Sequence, residues 1–103
     1  MNIEFENELI ICIVNAGFAQ EVMAAAREAG AGGGTIIHSR GTADPEAEEF
    51  FNITIQPDKD TVLILVKSSI KDDVMRAVYK RIGKGTKGAG IAFSLPVTKT
   101  AGL

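Results

Sequence analysis

The sequence is poor in the side chains that most often carry chemistry. Its 103 residues include one cysteine, one histidine and one tyrosine, and the formal net charge is only −2. A single cysteine, Cys12, has no partner for an intrachain disulfide and no second thiol for metal or redox work. Set inside an apolar run, it reads as a small core residue. The single histidine, His38, has no cysteine or carboxylate patterned around it. No Cys–His or Ser–His–Asp arrangement can be assembled, so the expectation is a protein that is not an enzyme. The small net charge argues against a general nucleic-acid binder. No apolar run approaches a membrane span, which argues against direct insertion, and the acidic start Met1–Glu8 is unlike a secretory signal. With the lone thiol, these features predict a cytoplasmic protein.

What remains is a chain that is 46% hydrophobic and 23% charged. That balance suits one globular domain, residues 1–103, with a single modest core. Leu9–Val14 is a short β-branched apolar run and reads as a buried strand. Phe18, Val22, Ala25, Ala26 and Ala29 follow the i, i+4, i+7, i+8 rhythm of a helix that Gly30 ends. Thr35–Arg40 reads as a second strand. Residues 41–49 form a polar loop, and in Phe50–Gln56 apolar and polar positions alternate as in a further strand. Pro57–Asp60 predicts a turn, and Thr61–Val66 a strand apolar on both faces. A second helix follows, with Ser69 and Asp72 as a capping box and a stripe of Ile70, Val74, Ala77, Val78 and Ile82. Ile91–Val97 is the last strand.

The order predicts an α+β fold: a ferredoxin-like βαββαβ sandwich with an extra strand or loop inserted after the second strand. Two helices cover one face of such a sheet. Strands apolar on both faces then leave a bare apolar surface, which predicts a homo-oligomer.

The stretch most like a ligand site is Lys80–Phe93. It holds glycines at 83, 85, 88 and 90 and the cations Lys80, Arg81, Lys84 and Lys87. Inward-turned backbone N–H groups with lysines beside them suit an anion; a solvated helix-to-strand linker fits the same residues. Gly83, Gly85 and Gly88 match G-x-G-x-x-G, but they follow a helix and precede a strand, the reverse of the dinucleotide fingerprint.

Three stretches give the chain a resemblance to the PII nitrogen-regulatory signalling family. Gly30-x-x-Gly33-x-Thr35 followed by Gly41 is similar to the family's helix-to-strand turn and the start of its long mobile loop, here about 41–56. Phe50–Val66, with Pro57, is similar to that loop's return. Gly88-Ala89-Gly90-Ile91-Ala92-Phe93 resembles the second nucleotide-contact loop, G-D-G-K-I-F. The resemblance implies a homotrimer that binds an adenine nucleotide (ATP, ADP or AMP) in clefts between subunits. It further implies that the mobile loop regulates a membrane transporter or an enzyme. Carried over by position, the nucleotide-binding residues would be Gly33, Thr35, Gly41, Lys59, Gly88, Ala89 and Gly90. Ala89 and Ile91 stand where the family has aspartate and lysine, and the only tyrosine, Tyr79, lies in the second helix. Lys84 and Lys87 are expected to replace the lost phosphate contacts. An alternative is a ferredoxin-like trimer that binds a divalent metal or another small ligand, with Asp44, Glu46, Glu48, Glu49 and His38 as possible ligands; they show no recognisable metal spacing.

Overall fold

The computed structural model describes residues 5–42 and 57–103. The chain runs β1 (Asn7–Asn15), α1 (Ala19–Glu28), β2 (Thr35–Arg40), β3 (Asp58–Lys67), a 3-10 turn (Ser68–Ile70), α2 (Lys71–Ile82) and β4 (Ile91–Val97). The strands form one sheet in the order β2-β3-β1-β4, and every neighbouring pair is antiparallel. Each β-α-β unit therefore leaves a gap that a strand of the other unit fills. This is the expected ferredoxin-like α+β architecture. The expected strand at Phe50–Gln56, most of the loop at 41–56, and Asp44, Glu46, Glu48 and Glu49 lie outside the described residues.

The period-2 pattern sorts the sheet into two faces. Ile10, Cys12, Val14, Val62, Ile64 and Val66 point under the helices and are buried. They meet Val22, Met23, Ala25 and Ala26 of α1 and Val74, Val78 and Ile82 of α2. Each fully buried Val or Ile contributes about 1.5–3 kcal/mol by leaving water. Among the described residues no element covers the other face. Ile11 sits opposite Leu63 and Phe93, and Leu9 opposite Leu65 and Leu95. Ile37, Ile91, Phe93 and Leu95 are 41–58% exposed.

α1 ends as its sequence predicts. The Gly30 N–H donates to the Arg27 carbonyl and the Ala31 N–H to the Ala26 carbonyl, with Gly30 at φ 107°. That is the Schellman pattern, and its left-handed residue favours glycine.

Two local expectations fail. Pro57–Asp60 is not a turn: Asp58, Lys59 and Asp60 pair with Arg40, Ser39 and His38 as the first rungs of β3. A partner strand satisfies their backbone groups, and this overrides their turn preference. Ser69 does not cap α2. It lies in the 3-10 turn, and Ile70 occupies the N-cap without a side-chain hydrogen bond. Ser68 does the anchoring, its N–H donating to the Glu6 carbonyl and its hydroxyl to the Phe5 carbonyl.

Candidate functional site

At one end of the sheet the C-terminus of β1, the C-terminus of β2, the start of β3 and the loop before β4 converge. Asn15, the last residue of β1, ties three of them together. Its N–H donates to the Gly88 carbonyl (2.8 Å). Its side-chain Nδ2 donates to the Lys87 carbonyl (2.9 Å), and its Oδ1 accepts from Lys59 Nζ (2.7 Å). The Lys59 stem in turn lies over Gly41, where an added Cβ would stand 3.1 Å from Lys59 Cε. The Gly41 N–H donates to the Pro57 carbonyl at 2.7 Å, closing β2 onto β3. Next to Lys59 on the same face, the Ser39 and Thr61 hydroxyls meet at 2.8 Å.

The glycine loop folds as two consecutive turns. The Thr86 N–H and hydroxyl both reach the Gly83 carbonyl (3.2 and 2.8 Å). The Ala89 N–H then reaches the Thr86 carbonyl (3.1 Å), and the Gly90 N–H returns to Ile82 (2.6 Å). Gly85 at φ 91° and Ala89 at φ 45° are left-handed. The N–H groups of Lys84, Gly85, Lys87 and Gly88 find no acceptor among the described residues. Lys84 and Lys87 are exposed, and neither they nor Lys59 has a carboxylate within ion-pair distance among the described residues. The corner holds the Lys59 ammonium, with Lys84 and Lys87 exposed on the adjoining loop and several N–H donors unpaired among the described residues, a combination that favours an anion.

Of the expected site residues, Gly41, Lys59, Lys87 and Gly88 meet at this corner, with Lys84, Ala89 and Gly90 in the same loop. Gly33 and Thr35 do not. They lie at the far end of β2, where Thr35 pairs with Leu63 while Ser39 pairs with Lys59, about 13 Å away along the strand. Gly88 and Gly90 have a packing role as well: a Cβ on Gly90 would come within 2.5 Å of Ile82 Cδ1 and 2.8 Å of Val14 Cγ1, and one on Gly88 within 3.1 Å of Ile82 Cβ. Arg81 is engaged elsewhere, bound to Glu28 at 3.1 Å.

Sequence reasoning missed Asn15. It also missed a second polar group on the helix side of the same sheet end. His38 Nδ1 lies 2.9 Å from Asp60 Oδ1, and the Gly17 N–H donates to Asp60 Oδ2 at 3.0 Å. Asp60 is only 4% exposed, whereas the His38 ring stands in solvent. The Gly17 N–H, and after it His38, hold the Asp60 carboxyl below its ordinary value. His38 and Asp60 line a shallow depression together with Gly17, Ala19, Gln20 and Ile36. Cys12 is wholly buried, and burial pushes its thiol up to about 11. No group of three or more His, Cys, Asp or Glu that could hold a metal occurs among the described residues, and no helix among them is long and apolar enough to cross a membrane.

Solved structures share this fold. A. thaliana PII bound to citrate matches with a TM-score of 0.68 at 23% identity, over 91% of this chain and 77% of that one. The B. subtilis GlnK–ATP complex matches at 0.71 and 13% identity, over 94% and 86%. The fold is PII-like. A B. cereus protein related to NIF3 also matches, at 0.70 and 16% identity, but there the chain spans only 27% of the neighbour's length. No family model matches the sequence, and no curated protein does. At these identities the likeness is one of fold. In the PII-like frame, the cationic corner stands at the point where the chain enters and leaves residues 43–56.

Proposed function

We propose that this chain is a PII-like regulatory protein of the cytoplasm that assembles as a homotrimer. It would bind an adenine nucleotide (ATP, ADP or AMP) in the clefts between subunits and act on a membrane transporter or enzyme through the segment at 41–56. The observation that carries this reading is the meeting of Gly41, Lys59, Lys87 and Gly88 at the base of that segment, with Lys84 exposed in the same glycine loop. One PII-like neighbour was solved with ATP and another with citrate, both polyanions. The bare face built on Ile11, Leu63, Phe93 and Leu95 supplies an apolar surface for assembly. In a trimer, Gly33 and Thr35 would serve the cleft of an adjoining subunit, which accounts for their distance from the corner. Nucleotide here is a signal, and its hydrolysis forms no part of the proposal.

Titration calorimetry with ATP, ADP and AMP, with and without magnesium, on material whose mass has been measured by sedimentation, tests the reading. Heat from at least one nucleotide supports it. A confirmed trimer that binds none of them refutes the nucleotide claim and leaves the fold in place.

A further inference from the structure

His38 and Asp60 stand outside the anion corner, on the helix side of the sheet. Asp60 is buried and anchored twice: Oδ2 accepts from the Gly17 N–H at 3.0 Å, and Oδ1 meets His38 Nδ1 at 2.9 Å. An ionised carboxylate can only accept, so Nδ1 carries the proton and the neutral ring keeps its lone pair on Nε2. No group among the described residues bonds to Nε2, and the His38 side chain is 92% exposed. A neutral imidazole with its tautomer fixed and Nε2 open is a nucleophile at neutral pH. Asp60, facing the ring, offsets the positive charge that appears when Nε2 forms a bond.

The surroundings select what Nε2 attacks. No Ser, Thr or Cys of the described residues lines the depression, so the ring has no hydroxyl or thiol to activate and is itself the attacking group. Asp60 is the only carboxylate among those lining residues. Ala19, Gln20 and Glu21 open the ten-residue α1 with N–H groups that find no acceptor among the described residues. Arg40 follows two residues after His38 on the same face of β2. Free N–H groups and a cation beside a nucleophile favour a group that carries negative charge.

We propose that His38 is a phosphoryl-acceptor site, modified at Nε2 by a small acyl phosphate, with Asp60 as its positioning residue. The Nε2 lone pair forms the N–P bond while the P–O bond to the acyl group breaks, and the acyl carboxylate leaves with the electron pair. Nδ1 keeps its proton, so the ring becomes an imidazolium against Asp60. The site is independent of the nucleotide reading, and either can fail without the other.

Acetyl phosphate is the probe, with phosphoramidate as a second donor, and intact mass with 31P NMR reads the product. The folded chain should gain one acid-labile phosphoryl group at Nε2, roughly tenfold faster than the urea-unfolded chain, whose imidazole has lost Asp60. His38→Gln should abolish the label. Asp60→Asn should slow labelling to the unfolded rate and give a mixture of Nε2 and Nδ1 products, a change of position that a merely structural role would not produce. Equal rates in the folded and unfolded chains, an Nδ1 product in the wild type, or a label that survives His38→Gln overturns the proposal. A folded Asp60→Asn protein that keeps both rate and Nε2 selectivity removes Asp60 from it; if that variant fails to fold, the wild-type comparison decides.

Discussion

The chain has two glycine-rich turns, and on the page they look alike: Gly30–Gly34 between α1 and β2, and Gly83–Gly90 between α2 and β4. In the structure they are built for different ends. The first terminates a helix at Gly30 and packs once, at Gly34, where a Cβ would meet Met23 Sδ at 2.8 Å and the Leu63 carbonyl at 2.9 Å. Gly32 and Gly33 face open space, and no cation stands among these five residues. The second is pinned at three glycines, 83, 88 and 90, by Tyr79, Ile82 and Val14, and it carries Lys84 and Lys87 in the turns between. Glycine density alone therefore says little about a ligand. The cations, and the N–H groups that packing leaves unpaired, make the distinction.

Substitutions can break or sharpen this contrast. The largest effect is expected from Gly90→Ala, whose methyl has no room between Ile82 and Val14; overpacking of this kind should cost about 3 kcal/mol in urea unfolding. Bulky changes at Gly88 or Gly90 therefore cannot report on ligand contact, since they damage the core first. The double change Lys84→Gln with Lys87→Gln is the cleaner probe. It should weaken nucleotide binding about tenfold while moving stability by less than about 0.5 kcal/mol, and unaltered affinity would remove these lysines from the site. Gly34→Ala should cost about 2 kcal/mol, less than Gly90→Ala: the Met23 thioether can swing aside, but the Leu63 carbonyl belongs to the β3 backbone and cannot. Gly33→Ala should be the mildest, stabilising by about 0.5 kcal/mol through the unfolded chain. A marked loss at Gly33 in the isolated subunit would contradict the open surroundings described for it.

Much of the fold was legible in the sequence because its signals are local. Val22, Ala25 and Ala26 recur at helical spacing, Gly30 marks a helix end, and Ile11 with Leu63 shows strands too apolar for a sheet covered on one side. The candidate site was legible in part: the glycine loop, Lys59 and Gly41 could be named, but what joins them could not. Asn15 reaches Lys87 across 72 positions of sequence, and an asparagine ending a strand before Ala16-Gly17 looks like ordinary turn material. The Pro57–Asp60 error hid the His38–Asp60 pair as well. With Asp58–Asp60 read as a turn, β3 began at Thr61 and no residue stood opposite His38. Extending that strand by three residues would have put the carboxylate beside the ring. Composition favoured the turn, and the pairing that overrides it is a property of two strands together.

Cys12 gives this protein a built-in clock for its own opening. The only thiol in the chain is fully buried at the centre of the sheet, and a thiol held near 11 supplies almost no thiolate at neutral pH. A disulfide reagent must wait for the helices to part from the sheet, so the rate of thiol modification under native conditions follows how often they do so. The same silence makes the chain a ready host for spectroscopic labels. A cysteine placed at the exposed Thr42, beside the corner, would be the one that reacts, and ligand binding there could be followed without removing the native residue.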